Sequence, residues 1–154
     1  MTQTADEEAP ARWAMSGLEY MRKLASGELP PSPMGQLMGF RLVEVEAGRA
    51  VFTVEPGERH ANGIGIAHGG LAATLLDSAT GCAINTMMPA GRVFTTLEMK
   101  INYVRPLTAQ TGEVRCEARV IHVGGRVATA EGYITDAGGK LYAHGTATCM
   151  LFRQ

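Results

Sequence analysis

Several features that would point to a particular class of protein are missing from this sequence. No run of eighteen apolar residues is present, which a membrane-spanning helix would require, and the acidic first ten residues do not resemble a secretory signal. The net charge of -1 provides no long-range field to attract nucleic acid or an anionic membrane. We therefore expect a cytoplasmic protein that binds neither, and any acidic ligand must be held by a few local cations.

Residues that form disulfides or bind metals are also few. The three cysteines, Cys82, Cys116 and Cys149, are widely spaced and form no C-x-x-C pair, so we expect them to be small buried side chains. The four histidines lack the i, i+4 spacing that metal ligands on one helix often have. The sequence therefore predicts neither a metal site nor a resident cofactor.

The composition, 45% hydrophobic and 19% charged, is typical of one globular domain, and no linker or internal repeat divides residues 1–154. Residues 1–33 form an amino-terminal extension, in which helical spacing predicts one amphipathic helix over residues 11–26. The core, residues 34–152, begins with two strands at 40–46 and 50–55. Gly48 separates the two strands, which indicates a hairpin.

The remainder of the core is one apolar helix followed by four strands. The helix is predicted from Gly70 to about Met88, and little of its surface is polar, so other structure must enclose it. Alternating patterns then predict strands over residues 97–103, 113–120, 126–136 and 140–152. Four consecutive strands indicate an antiparallel meander. We predict an α+β fold in which one twisted sheet, including the hairpin, curls around the helix.

The start of that helix carries the pattern N-x5-H-G-G-x6-D, made by Asn62, His68, Gly69, Gly70 and Asp77. This pattern resembles the hotdog-fold acyl-CoA thioesterases of the PaaI-like, phenylacetic acid degradation type. The resemblance continues through the segments TTLEMKINYVRP, HVGGR and GKLYAHGTAT. It implies a hotdog fold and metal-independent hydrolysis of acyl-CoA thioesters, with CoA as part of the substrate. It also implies homodimers, often paired into tetramers, with active sites between subunits.

Thioester hydrolysis needs a donor for the carbonyl oxygen and a group that activates or delivers the attacking oxygen. The amide of Gly69 lies at the positive end of the helix with no side chain to obstruct it, so we predict it to be the main oxyanion donor. Asp77 is the only charged residue between His68 and Met88, and burying it unpaired would cost several kcal/mol. The resemblance makes Asp77 the nucleophile or the general base, and the residues do not separate these roles.

The resemblance also implies roles for other residues. His68 would orient the glycine loop, Asn62 would help to place the water or carbonyl, and Thr96 would lie near the acid. The residues that it places at the CoA moiety are Gly70, Arg105, Pro106, Val123, Gly124, Gly125 and Arg126. Each motif also has a simpler, non-catalytic interpretation. The HGG segment could be a capped turn, Asn62 part of an Asn-Gly turn and Thr96 an ordinary strand threonine. Gly124 and Gly125 could form a two-residue hairpin turn, and Asp77 could be an exposed or hydrogen-bonded helical residue.

Helix geometry provides a further constraint on the two main residues. Eight positions separate Gly69 from Asp77, which along a helix is roughly 12 Å, so one carbonyl cannot contact both in the same chain. If both act on one thioester, the second group must come from a neighbouring chain.

Two other functions compete with thioester hydrolysis. The first is that of a hotdog hydratase or dehydratase, whose usual motifs are missing here. The second is that of a non-catalytic acyl-CoA-binding dimer, which would have no need of the acid.

Overall fold

One long helix lies in the curve of a six-stranded antiparallel sheet in the computed structural model, which describes residues 9–153. The helices are α1 (Ala9–Ala14), α2 (Gly17–Ser26), α3 (Pro33–Met38) and α4 (Gly69–Asn85), with a 3-10 turn at Glu58–His60. The strands are β1 (Arg41–Glu46), β2 (Arg49–Val54), β3 (Arg92–Tyr103), β4 (Val114–Val123), β5 (Val127–Asp136) and β6 (Leu141–Arg153). This arrangement confirms the predicted hotdog fold. Among the described residues, no helix is both long and apolar enough to cross a membrane.

The amino-terminal segment contains three helices where the sequence predicted one. The predicted helix is interrupted between α1 and α2. Ser16 lies at this interruption, and its side chain accepts a hydrogen bond from the Glu19 amide and so caps α2. The sequence pattern did not predict α3, because a cluster of prolines usually ends a helix. Pro33 instead occupies the start of α3, where a missing N–H costs nothing, and the Ser32 side chain caps it.

The central helix α4 begins one residue earlier than predicted and ends at Asn85. Its buried side chains, Leu71, Ala72, Leu75, Leu76, Ala79, Thr80, Ala83 and Ile84, pack against the inner face of the sheet. The opposite side of the helix lines a cleft that it shares with the amino-terminal segment, and Asp77 is exposed there. The expectation of a helix enclosed on all sides with a buried, unpaired Asp77 is therefore wrong for the single chain.

The order of strands in the sheet is β1-β2-β4-β5-β6-β3. Strands β4, β5 and β6 form the predicted meander, but β3 does not pair with β4 and lies instead at the edge beside β6. The connection 104–113 carries the chain across the amino-terminal end of α4, where Leu107 is buried and its carbonyl accepts a hydrogen bond from the Ala67 amide (2.8 Å). Alternation predicts strands but does not specify which strands are neighbours.

The cysteines follow the sequence prediction only in part. Cys116 and Cys149 are fully buried in the core, on β4 and β6. Cys82 is only half-buried, because it lies on the side of α4 that faces away from the sheet. It packs against the core and also lines a cleft between α4 and the amino-terminal segment.

Candidate active site

The amino-terminal end of α4 is held by the side chain and carbonyl of His68. Nδ1 of His68 accepts a hydrogen bond from the Gly70 amide (2.8 Å), and the His68 carbonyl accepts one from the Leu71 amide (2.9 Å). The amide between them, that of Gly69, donates to no acceptor among the described residues. The first turn of α4 therefore presents one free N–H at the positive end of the helix.

A cavity of 320 Å³ adjoins this end of α4 and brings together five of the predicted residues, Asn62, His68, Gly69, Arg105 and Pro106. The side-chain oxygen of Asn62 accepts hydrogen bonds from the amides of Ile64 and Ile66, at 3.0 and 3.3 Å. Asn62 thus orders the loop before the helix, and its NH₂ group is the part that can contact a ligand. Arg105 donates to the Leu141 carbonyl (2.6 Å), which fixes its guanidinium at the cavity wall.

Tyr103 belongs to the same cavity and was not singled out from the sequence. Its hydroxyl donates to the Gly69 carbonyl (3.0 Å), and a Cβ added at Gly69 would lie 3.2 Å from that hydroxyl. Tyr103 therefore fixes the position of the first turn of α4 relative to β3. The available signal was its place at the end of the alternating strand, inside the Y-x-R-P motif.

Asp77 lies farther along α4, beside Thr96 on β3. The Thr96 hydroxyl donates to Oδ1 of Asp77 (2.8 Å), which leaves Oδ2 without a donor among the described residues. Both side chains line a second and larger cleft, of 580 Å³. Burial raises the pKa of the Cys82 thiol in this cleft to about 12, and it also raises the pKa of Cys149 next to Thr96. Both thiols are therefore protonated at neutral pH.

The free amide and the acid therefore occupy two half-sites in one chain. Gly69 lines the smaller cavity and Asp77 lines the larger cleft. The hydrogen bonds to Tyr103 and Thr96 attach both ends of this helical segment to the same edge strand, β3. No residue is shared by the linings of the two cavities.

The segment from Val123 to Arg126 lies away from both half-sites. It forms the turn between β4 and β5, in which the Gly124 amide donates to the Val127 carbonyl (2.8 Å), and the Gly125 carbonyl accepts from the Arg92 guanidinium. Arg92 begins β3 and Tyr103 ends it, so roughly 36 Å of strand separates this turn from the first cavity. Within one chain, the predicted CoA residues are not brought together.

Within the part of the chain that the structure describes, no group of three or more His, Cys, Asp or Glu side chains is arranged to hold a metal ion. The chemistry available at the two half-sites is that of an amide donor, a hydroxyl and a carboxylate.

The chain belongs to the thioesterase superfamily, whose family model matches residues 64–143. That match includes both Gly69 and Asp77. The predicted resemblance is confirmed, and the chain is a thioester hydrolase.

Four similar proteins show the extent of the likeness. Human acyl-coenzyme A thioesterase 13 is 34% identical over 109 residues, which is 70% of this chain and 76% of that protein. The phenylacetic acid degradation protein PaaI from Thermus thermophilus, solved as a mutant, is 32% identical with a TM-score of 0.70, covering 77% of this chain and 98% of that one. A Streptococcus mutans protein bound to acetyl CoA is 26% identical with a TM-score of 0.68, covering 75% of this chain and 90% of that one. An inferred esterase of Halobacterium salinarum is 39% identical over 75 residues, but the match spans 47% of each protein.

Proposed function

We propose that this protein hydrolyses acyl-CoA thioesters to a free acid and CoA, without a metal, in a homodimer. The Gly69 amide of one subunit and the partner subunit's Asp77 act on the same thioester. The observation that carries the proposal is the free Gly69 N–H at the start of α4, since the amides of His68, Gly70 and Leu71 on either side of it each have an acceptor. Relatives that act on or bind CoA thioesters support CoA as the leaving group.

The chemistry follows from these two groups. The thioester oxygen accepts a hydrogen bond from Gly69, and the positive end of α4 stabilises the charge that develops on this oxygen. The carboxylate of Asp77 either takes a proton from the attacking water or attacks the carbonyl carbon itself, giving a mixed anhydride that water then cleaves. In both routes a C–O bond forms, the C–S bond breaks and the departing CoA thiolate gains a proton. Thr96 holds Oδ1, so Oδ2 is the oxygen that reacts.

The edge strand β3 supports the two-subunit site. Its outer edge has no partner strand in the described chain, and such an edge can pair with a second copy. If two β3 strands pair antiparallel about an axis between Met99 and Lys100, Thr96 of one strand faces Tyr103 of the other. Because these two residues hold Asp77 and Gly69 respectively, the pairing brings each free amide close to an acid of the other subunit.

The same pairing also accounts for the distant turn between β4 and β5. Antiparallel β3 strands place the Arg92 end of one subunit toward the Tyr103 end of the other. Arg126 and the glycines of one turn then approach Arg105 of the second subunit. Two arginines near one cavity would bind the nucleotide phosphates of CoA.

The test is thiol release from a panel of acyl-CoAs by wild type and Asp77→Asn, with Glu19→Gln as a control for loss of an exposed helical acid. The asparagine can still accept the Thr96 hydrogen bond, so we expect unchanged folding and CoA binding. We expect kcat to fall at least about a hundredfold, as for loss of a principal acid-base or nucleophilic group. A wild-type rate in Asp77→Asn would overturn the assignment. Hydration of an enoyl-CoA with no thiol released would favour the hydratase instead.

A further inference from the structure

We propose that the acyl group of the substrate lies in the 580 Å³ cleft beside Asp77, and that the cleft prefers an elongated acyl group with an oxygen acceptor at its far end. This inference rests on the proposed function, because it takes Asp77 as the position of the thioester. It adds the class of acyl group, which neither the family nor the catalytic residues specify.

The floor of the cleft is one side of α4. Its members are small or polar and recur at helical spacing: Asp77, Ser78, Gly81, Cys82 and Asn85. From Asp77 to Asn85 the helix rises roughly 12 Å. An extended chain with C–C bonds of about 1.5 Å advances about 1.3 Å per carbon, so this floor accommodates about nine carbons.

The roof of the cleft comes from the segment before the superfamily match. Apolar side chains of α2, of the segment that follows it and of the first two strands cover the floor, among them Met21, Leu24, Leu29, Phe40 and Phe52. Each methylene buried against such walls favours binding by about fourfold.

Gly81 keeps the middle of the floor open. A glycine inside a helix is unfavourable relative to alanine, so its presence at a buried position calls for a steric reason. A Cβ at Gly81 would lie 2.8 Å from Cε2 of Phe94, which also lines the cleft. Any side chain there would displace the Phe94 ring, and the cleft would change width at that point.

The far end of the cleft is polar. The Arg12 guanidinium carbon lies 4.4 Å from the centre of the Tyr20 ring and 4.9 Å from that of Trp13, so cation–π contacts hold it in place. Four residues line both the cleft and an adjoining cavity of 170 Å³ and form the boundary between the two: Phe94 and the polar residues Arg12, Tyr20 and Asn85. The three polar side chains can donate hydrogen bonds, which favours an acyl group that ends in a carboxylate or hydroxyl oxygen.

The test is kcat/KM for two series of CoA thioesters, the straight-chain acyl series from acetyl to myristoyl and the same chains with a terminal carboxylate. We expect an optimum near about nine carbons and at least about a fivefold preference for the carboxylate at that length, as for one exposed charge-assisted hydrogen bond. Arg12→Gln should abolish most of this preference. Arg22→Gln, an exposed cation of α2 outside the cleft, should retain it.

Gly81→Ala provides a second and independent measurement. We expect it to shift the optimum by at least two carbons, with folding checked by circular dichroism. A flat length profile together with equal rates for the two series would overturn the inference while leaving acyl-CoA hydrolysis intact. If no acyl-CoA in either series releases thiol, the proposed function itself is wrong.

Discussion

Mixed dimers provide the sharpest test of a site divided between subunits. We consider two inactive variants: Asp77→Asn, which removes the acid, and Gly69→Pro, which removes the amide donor. In a heterodimer of the two, the Gly69 amide of the first chain meets the intact Asp77 of the second, so one of the two sites is complete. The other site lacks both groups.

The local backbone makes Gly69→Pro a specific deletion of the amide. Gly69 is the first residue of α4, a position that favours proline, and His68 has φ -57° and ψ 139°, which is compatible with a following proline. The added Cβ would lie 3.2 Å from the Tyr103 hydroxyl, and Tyr103 is 58% exposed and can move. Gly69→Ala adds the same Cβ and keeps the N–H, so it is the matched control.

The expected magnitudes follow from these roles. Loss of one oxyanion donor costs about 100-fold to 1,000-fold in kcat, so Gly69→Pro should be nearly inactive and Gly69→Ala much less affected. Random reassociation of equal amounts of the two variants gives about half heterodimers, each with one working site of two. The mixture should therefore recover about one quarter of wild-type thiol release per subunit. Activity no greater than the mean of the separate variants, after exchange is shown by mass spectrometry, would refute a divided site.

Three further predictions concern single contacts. Thr96→Val removes the hydroxyl that holds the acid, so we expect kcat to fall about tenfold, whereas Thr96→Ser retains the donor and should stay near wild type in the same assay. His68→Ala removes the cap of α4 and should lower the free energy of unfolding by about 1 kcal/mol in urea titrations, whereas His68→Asn, a good cap, should restore most of it. Hydrogen bonds from Arg115 and, second to it, Arg49 lower the pKa of Glu44, and the hydrogen bond from Arg49 lowers the pKa of Glu117. The stabilisation from the lowered pKa values is present above the ordinary carboxyl pKa and is lost as the pH falls through the folded pKa values. Arg49→Met should therefore lose most stability relative to wild type above about pH 5, and less as the pH drops, because Arg115 still holds Glu44.

The sequence predicted the elements of the core better than their arrangement. Alternation located β4 through β6 to within a few residues, because each has one face on the core and one in solvent. The first five residues of β3 were missed, since that end of the strand lies at the sheet edge beside the turn at Gly91 and its pattern is less regular. The neighbours of β3 depend on the long connection 104–113, and no local pattern carries that information.

The residues of the candidate site also differ in how far local sequence patterns predict them. The pattern N-x5-H-G-G-x6-D located the free amide, the capping histidine and the acid, because helix starts have local requirements that a sequence reveals. Tyr103 could not be assigned in this way, since its contact with Gly69 joins positions 34 residues apart. The turn at Val123 to Arg126 was grouped with Arg105 on resemblance alone, and the single chain keeps these segments at opposite ends of β3.

Because Asp77 is exposed, its carboxylate adds little to the free-energy cost of folding. A carboxylate buried unpaired in a single chain would oppose folding, but this one remains hydrated and accepts one hydrogen bond, so folding of the chain bears little electrostatic cost. In the proposed dimer, the partner and the acyl-CoA would exclude water from it only after folding is complete. The desolvation that makes the carboxylate more reactive would then be supplied by assembly and substrate binding. A helix that holds its amide and its acid two turns apart can serve hydrolysis only if a second helix supplies the complementary group.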